Sequence, residues 1–197
     1  MTNQATEQLR EQVQGILAEP TGTNDHTLQR RIRWLKVAQL AVETGPGDFA
    51  EIGAMEGDTT VPLCEIAEKY DRRVLVVDPW TTGTQNCQGH EYETFVRRTQ
   101  KWQVSGVLHV IRKPSQSELA IIRLLGSPWA FALVDGLHQY RSVVQDAMSV
   151  RYARVICFDD MNMPDVTKAY EKVLTLLPER VGLQDPTLAK KWEGYLI

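Results

Sequence analysis

Apolar residues recur at helical spacing over the first 45 positions of the chain. One stripe consists of Leu9, Val13, Ile16 and Leu17, and a stronger one consists of Leu28, Ile32, Leu35, Ala38 and Val42. Because intervals of three and four residues return to the same face of a helix, these stripes predict amphipathic helices over 8–18 and 27–44. A Pro- and Gly-containing segment separates the two helices, and Gly45-Pro46-Gly47 ends the second. Residues 1–45 are therefore predicted to form an N-terminal helical extension.

The pattern changes at Asp48 to short apolar runs that alternate with helix-length segments. The runs predict strands at 49–53, 74–78, 107–111, 129–135 and 155–159, and the other segments predict helices at 58–70, 91–102, 116–125, 139–150 and 165–177. Several runs, such as Val-Leu-Val-Val at 74–77, are almost continuously apolar, which is typical of parallel strands buried on both faces. We therefore predict an α/β fold, with a doubly wound, mostly parallel sheet and helices on both faces. Residues 181–197 are expected to add one or two edge strands.

Composition restricts the classes of function. The chain has 197 residues, with 22 Lys and Arg against 25 Asp and Glu. This length favours a single domain over residues 1–197, with 46–197 as the α/β core. The formal net charge of −3 speaks against nucleic-acid binding, which needs a basic surface. No apolar run approaches the roughly 20 residues that cross a bilayer. Three widely spaced cysteines and a start without a signal segment favour a cytoplasmic protein with reduced thiols.

Ligands of open α/β sheets bind beyond the carboxyl ends of the strands, so we consider the residues that follow each predicted strand. Glu51, Gly53 and Gly57 form a glycine-containing turn between the first strand and the next helix. Such a turn presents backbone N–H groups to a ligand, or it is simply a structural connection. Asp78 ends the second strand, where a carboxylate can bind a ribose diol. Together, the turn and the carboxylate favour an adenosine-type ligand.

The segment after the third predicted strand has two interpretations. It contains Ser115 and Gln116 in the sequence Lys113-Pro-Ser-Gln-Ser117. These polar side chains could contact the edge of an adenine ring. Alternatively, the polar groups of this segment simply cap the helix that follows.

Three carboxylates follow the fourth and fifth predicted strands, namely Asp135, Asp159 and Asp160. Like charges gathered at one edge of a sheet repel each other and require a cation or protons nearby. Carboxylate oxygens select a hard ion, so the sequence predicts Mg²⁺ or another hard divalent cation. Successive strand residues point to opposite faces, so Asp159 and Asp160 share one ion only if the chain already turns there. Otherwise Asp160 caps the following helix.

His138 is the candidate proton acceptor. It lies three residues after Asp135, about one helical turn away. A lone histidine is usually a surface or core residue, but this one stands beside the predicted cation site. Its side chain titrates near neutral pH, so we predict a functional role as a general base.

Taken together, these motifs resemble the class I S-adenosylmethionine-dependent methyltransferases, and more narrowly the metal-dependent family of macrocin-type sugar O-methyltransferases. The turn Glu51-Ile-Gly-Ala-Met-Glu-Gly57 is similar to the cofactor loop of that family. The sequence Asp135-Gly-Leu-His138-Gln-Tyr140, followed by Phe158-Asp-Asp160, is similar to its metal and base motifs. The resemblance covers roughly Gly45 to Lys172, and it implies a Rossmann-like methyltransferase fold.

The resemblance also implies a role for each candidate residue. Glu51, Gly53 and Gly57 would line the methionine end of S-adenosylmethionine, Asp78 would bind its ribose, and Asp135 would border the same pocket. Ser115 and Gln116, similar in placement to a Ser-Gln pair in catechol O-methyltransferase, would contact adenine. Asp135, Asp159 and Asp160 would bind Mg²⁺, and Asp135 and His138 would be catalytic, with His138 as the base.

The hypothesis from sequence is therefore a Mg²⁺-assisted transfer of a methyl group to a hydroxyl of a small molecule, such as a sugar, a phenol or a natural-product intermediate. The segment Thr81–His90, with Gln85 and Asn86, is expected to cover the acceptor. Trp80 and Tyr140 either form an acceptor wall or are ordinary packing. Two alternatives stay open: a cephalosporin-hydroxylase-like enzyme of the same fold, and a non-catalytic protein that binds an adenosyl ligand. The N-terminal helices could also join copies of the chain in a homo-oligomer.

Overall fold

A computed structural model describes residues 3–81, 89–184 and 193–197 of the protein. Helices and strands alternate along most of the described chain. The helices are α1 (Asn3–Ala18), α2 (His26–Glu43), α3 (Thr60–Lys69), α4 (Glu91–Ser105), α5 (Glu118–Leu125), α6 (Tyr140–Ser149) and α7 (Pro164–Leu176). The strands are β1 (Asp48–Ile52), β2 (Val74–Val77), β3 (Leu108–Ile111), β4 (Trp129–Val134), β5 (Val155–Phe158), β6 (Gly182–Gln184) and β7 (Gly194–Leu196). No described helix is both long enough and apolar enough to span a membrane.

The strands form one sheet in the order β3-β2-β1-β4-β5-β7-β6. The first five strands are parallel, and β7 runs antiparallel to both β5 and β6. The predicted doubly wound sheet is confirmed. The expected C-terminal strands are present, with β6 at the edge of the sheet and β7 between β6 and β5. The order of the strands reverses between β1 and β4, so the chain leaves these neighbours in opposite directions and opens a crevice at their carboxyl ends.

Helices cover both faces of the sheet because the central strands are apolar on both sides. On one face, Phe49, Phe131 and Val155 pack against α1 to α4. On the other, Ile52 and Ile156 pack against α5, α6 and α7. Leu9, Val13 and Leu17 of the α1 stripe are buried in the core on the Phe49 face of the sheet, and Ile16 packs partly buried against it. A homo-oligomer through the N-terminal helices stays a prediction, but this stripe is already used within the chain.

Four strands end one residue earlier than the apolar runs predict. The residues Gly53, Asp78, Asp135 and Asp159 all follow their strands directly. Each still donates its backbone N–H to the neighbouring strand, at N···O distances of 3.0, 3.2, 2.9 and 3.2 Å respectively. Beyond that last hydrogen bond the backbone is free to turn. The carboxylates therefore stand on loop backbone at one edge of the sheet, and the extended geometry of a strand does not fix their directions.

Candidate functional site

The loop between β1 and α3 follows a path that requires glycine. Gly53 has φ +88°, and a Cβ added there would lie 2.0 Å from the carbonyl oxygen of Asp135. Gly57 has φ +81°, and its added Cβ would lie 3.0 Å from the ring of Phe95. Met55 between them is also left-handed, at φ +47°, which is strained for a residue with a side chain. The loop therefore runs directly against the carboxyl end of β4.

Asp78 ties this loop to the end of β2. Its Oδ2 accepts hydrogen bonds from the backbone N–H groups of Ala54 and Met55, at 2.8 and 3.1 Å, and its Oδ1 accepts one from Trp80 at 2.7 Å. The side chain is buried. Asp78 thus holds the turn in shape. A carboxylate oxygen has a second lone pair, so the predicted ribose contact stays a prediction that is compatible with this arrangement.

Glu51 lies beneath the loop as a buried acid. Only 2% of its surface is exposed, and the hydroxyl of Thr60 donates to its Oε2 at 2.6 Å. Burial raises the pKa of Glu51 to about 8. The group is therefore largely protonated at neutral pH, and an approaching ammonium group would favour its ionised form.

Ser115 and Gln116 do not cap α5, because the cap is Ser117, whose hydroxyl accepts from the N–H of Ala120 at 3.4 Å. Instead, the amide of Gln116 donates to Ser115 Oγ at 2.7 Å and to Asp146 Oδ1 at 3.1 Å. Sequence analysis missed Asp146 of α6, because its local sequence does not distinguish it from any other polar residue of a helix. It is the residue that fixes the orientation of the Gln116 amide.

Asp146 also offers an unused acceptor. The residue is 1% exposed, and its Oδ2 has no hydrogen-bond partner among the described residues. A Cβ added at Gly136, the second residue after β4, would lie 3.3 Å from this oxygen. Burial raises the pKa of Asp146 to about 6. A buried acceptor without a partner is costly, and a donor such as the exocyclic amino group of adenine would satisfy it.

The candidate base and the three carboxylates come together at the ends of β4 and β5. The Nε2 atom of His138 lies 3.3 Å from Asp135 Oδ1 and 3.6 Å from Asp160 Oδ2. Asp160 has φ +51°, a left-handed conformation that breaks the strand alternation directly after Asp159. This turn allows the two consecutive carboxylates to reach one common partner.

That common partner is Arg30, which sequence analysis did not single out. Its Nη1 donates to Asp159 Oδ1 and, at 2.8 Å, to Asp160 Oδ1. Only 11% of the Arg30 side chain and 7% of the Asp159 side chain are exposed. A guanidinium from helix α2 therefore occupies the position between the two carboxylates.

Arg33 extends this contact along α2. It pairs with Glu193 at 3.2 Å, and both residues are buried. Glu193 precedes Gly194, which lies opposite Phe158 in the β5–β7 ladder, so it stands beside Asp159. Two arginines one helical turn apart thus attach α2 to the carboxyl end of β5 and to the amino end of β7 beside it.

Comparison with known proteins places this arrangement in a family. Residues 50–161, more than half of the chain, match the family model described as a methyltransferase domain. The chain belongs to this methyltransferase family. The resemblance noted from the motifs is thereby confirmed, although no significant match was found among curated proteins.

Solved structures show the same fold at low sequence identity. CalS11, described as a TDP-rhamnose 3'-O-methyltransferase of calicheamicin biosynthesis, is 14% identical, with 98% of this chain and 92% of CalS11 covered and a TM-score of 0.64. The SAH-bound methyltransferase PaMTH1 of Podospora anserina is 13% identical, with coverage of 98% and 86% and a TM-score of 0.60. The O-methyltransferase NovP is 14% identical, with coverage of 82% and 78% and a TM-score of 0.55.

The cluster of Asp135, Asp159 and Asp160 shifts the proton affinities of the side chains within it. Burial and the carboxylate of Asp135 raise the pKa of Asp159, and Arg30 opposes that shift. The hydrogen bond with Asp135 raises the pKa of His138, while burial opposes it. Among the described residues, the imidazole of His138 and the guanidinium of Arg30 are the basic side chains in contact with these carboxylates.

The Mg²⁺ site predicted from the sequence does not fit these side chains as they stand. The oxygen ligands suit a hard cation, but the guanidinium of Arg30 lies between Asp159 and Asp160. Among residues 3–81, 89–184 and 193–197, no set of three or more His, Cys, Asp or Glu side chains has the geometry of a metal site. The alternative role of Asp160 as a helix cap is not observed, since Met163 is the cap residue of α7 and has no side-chain capping bond.

Two further expectations for the methyltransferase concern its acceptor side. Trp80 is packing: it is buried, its indole N–H donates to the carbonyl of Met55 at 2.7 Å, and its ring contacts Tyr92 and Phe95. Tyr140 packs partly buried against the core on the α6 side of the sheet. Gln85 and Asn86 lie outside the described residues.

Proposed function

We propose that this methyltransferase uses S-adenosylmethionine to methylate a hydroxyl group of a small molecule. The observation that carries the proposal is the position of His138. It contacts Asp135, and the carbonyl of Asp135 packs directly against Gly53 of the loop between β1 and α3. A proton acceptor therefore stands beside the loop that corresponds to the cofactor loop of class I methyltransferases.

The residues around that loop fit the parts of S-adenosylmethionine, which supplies an electrophilic methyl group when bound. Gly53 and Gly57 have no side chains, so the cofactor would have room to approach the loop backbone closely. The buried acid of Glu51 would pair with the ammonium of the methionine end, and Asp78 would accept a ribose hydroxyl. The unused oxygen of Asp146, together with Gln116, would accept from the adenine edge. The SAH-bound state of PaMTH1 supports this choice of cofactor.

On the acceptor side, His138 would remove the proton from the attacking hydroxyl. The negative charge of Asp135 at 3.3 Å would stabilise the resulting imidazolium. The oxygen would then attack the methyl group in line. Orientation of the two reactants by the loop and by the carboxylate cluster would supply much of the rate enhancement.

The chemical class of the acceptor follows from the same cluster. A hydroxyl is a weak nucleophile until it loses its proton, so a nearby base favours it as the acceptor. CalS11 acts on a TDP-sugar according to its description, and NovP is an O-methyltransferase. Sugars, phenols and natural-product intermediates are therefore the acceptors to test. Mg²⁺ at the carboxylates, as the sequence predicts, is the alternative to Arg30 as the cation of this cluster.

The test combines cofactor binding with methyl transfer. Calorimetric titration with S-adenosylmethionine should show one binding site in the wild type and in His138→Gln. With a panel of nucleotide sugars, catechols and phenolic acids, the wild type should add a methyl group to at least one compound. His138→Gln should be slower by about 10²- to 10⁴-fold, the usual contribution of a general base.

Other outcomes contradict parts of this proposal. A wild type that binds no S-adenosylmethionine overturns it. Products that gain an oxygen atom and no methyl group would support the hydroxylase-like alternative. Tight cofactor binding without turnover on any acceptor would support a non-catalytic adenosyl-ligand-binding protein.

A further inference from the structure

We propose that Arg30 is the resident cation of the acceptor site, so that this methyltransferase needs no divalent metal. Arg30 would be a positioning residue that holds Asp159 and Asp160 and leaves His138 to face the acceptor. The expected effect on catalysis rests on the proposed function. The expected effect on metal binding rests on the position of Arg30 alone.

A guanidinium and a divalent ion compete for the same oxygens here. Arg30 Nη1 hydrogen-bonds to Oδ1 of both Asp159 and Asp160. A Mg²⁺ or Ca²⁺ ion bound to these oxygens would lie about 2.0–2.6 Å from them, within the space that Nη1 occupies. Two cations at that separation also repel each other strongly in a poorly solvated site. Metal binding would therefore require Arg30 to leave.

The surroundings of Arg30 resist its departure. Trp34, one helical turn further along α2, places its ring 5.7 Å from the Arg30 guanidinium carbon. The buried pair of Arg33 and Glu193 fixes the same face of α2 to the sheet. If Arg30 moved away, its guanidinium would lose two carboxylate partners in a largely buried position, which is costly for an ion.

Arg30 also affects the base through Asp160. Its bond to Asp160 Oδ1 holds that carboxylate in the left-handed turn, with the other oxygen 3.6 Å from His138. Without Arg30, the carboxylates of Asp135 and Asp160 would flank His138 with no guanidinium from α2 beside them. The imidazole would then be drawn toward the carboxylates, and away from the acceptor.

The experiment compares wild type, Arg30→Gln and a matched control, Lys36→Gln. Lys36 lies on the same helix and is exposed, and its ion pair is with Glu19 at 2.6 Å. Its replacement removes one positive charge without touching the cluster. Mg²⁺ and Mn²⁺ binding are measured by calorimetry without cofactor, and methyl transfer is measured with and without a chelator.

The wild type and Lys36→Gln should not bind Mg²⁺ measurably, and a chelator should change wild-type turnover by less than about twofold. Arg30→Gln should bind Mg²⁺ or Mn²⁺ at least about tenfold more tightly than wild type, because its carboxylates are no longer compensated. The added substitution Asp159→Asn should abolish that gain. Arg30→Gln should also lower kcat more than it changes the Kd for S-adenosylmethionine.

The contrary results are equally specific. Wild-type binding of one Mg²⁺ that is lost in Asp159→Asn, or chelator-sensitive turnover restored by Mg²⁺, would overturn the inference. If Arg30→Gln does not fold, Arg30→Lys, which keeps the positive charge, takes its place. Binding of one equivalent of Mg²⁺ by folded Arg30→Lys would also overturn the inference. If no acceptor is methylated at all, the proposed function fails, and the metal titrations still decide the role of Arg30.

Discussion

The two sides of the crevice are held together by different forces. On the β1–β2 side, Asp78 accepts three backbone N–H groups, and the loop at Gly53 depends on glycine geometry. On the β4–β5 side, charged side chains dominate, and Arg30 of α2 joins Asp159 across 129 residues of sequence. The first side is organised by neighbouring loops of the α/β core, and the second by a helix of the N-terminal extension.

This difference predicts different sensitivities. Changes to the backbone should damage the β1–β2 side and cofactor binding, since its hydrogen bonds are made by main-chain groups. Changes to charge or to α2 should damage the β4–β5 side and the acceptor step. A substitution that affects both sides equally would show that the crevice behaves as one unit.

Gly53→Ala should have the largest effect. The residue combines φ +88° with a Cβ position 2.0 Å from the carbonyl oxygen of Asp135, so the backbone of one of the two loops must move. We expect a loss of stability above about 4 kcal/mol, or a folded protein without measurable affinity for S-adenosylmethionine. Urea unfolding and calorimetric titration measure these two quantities.

The control for this prediction is Gly106→Ala. Gly106 has φ +80° but nothing within 4 Å of its added Cβ. It should lose only about 1 kcal/mol from the left-handed backbone and bind cofactor as wild type does. Equal effects at the two glycines would mean that close contact between the loop and β4 does not matter.

Much of the first side could be predicted from the sequence because its signals are local. Continuous apolar runs located the strands, and the residues after β1 and β2 identified Gly53 and Asp78. The convergence of Asp159 and Asp160 depended on a turn that the sequence left open, and the structure supplies it as the left-handed Asp160.

Arg30 and Asp146 could not be predicted, because their roles depend on distant partners. A polar residue on an amphipathic helix usually faces solvent, and nothing in the local pattern of α2 or α6 distinguishes these two. Only tertiary packing brings Arg30 to Asp159 and Asp146 to Gln116. The sequence therefore predicts a metal at these carboxylates, because a local acidic pattern suggests a metal more readily than a remote arginine.

Glu51→Gln tests the electrostatics of the cofactor side. Burial raises the pKa of Glu51 from 4.5 to about 8, so the folded state binds this proton more tightly than the unfolded state does. The resulting stabilisation is present below the unfolded pKa and is lost as pH rises through about 8. Between about pH 5 and pH 8, wild type should therefore lose about 3 kcal/mol that Glu51→Gln does not lose.

Urea unfolding at several pH values measures that difference. The amide keeps the shape of the side chain and can still accept from Thr60. Glu65→Gln, an exposed position on α3, serves as the control and should follow the wild-type dependence. An unchanged pH dependence in Glu51→Gln would show that Glu51 is not a buried neutral acid.

The smallest effect concerns a helix cap, and it separates the two sides most directly. Asp25 caps α2 by accepting from the N–H groups of Thr27 and Leu28, at 2.9 and 3.1 Å, just before the turn that carries Arg30. Asp25→Ala should cost about 1 kcal/mol of stability. Because fraying of that turn loosens Arg30, it should lower methyl transfer by a few-fold while the Kd for S-adenosylmethionine stays unchanged.

Ser117→Ala removes the corresponding cap of α5, next to Ser115 and Gln116, and should have the opposite signature. Its stability loss should be similar, but it should weaken cofactor binding and leave the rate at saturating cofactor unchanged. Both substitutions remove the side-chain cap of a helix at a similar expected cost in stability. A difference between their kinetic effects therefore reports which side of the crevice each helix supports. If both shift the same kinetic parameter, α2 does not act on the acceptor side separately, and the division of the crevice into two independently held sides is wrong.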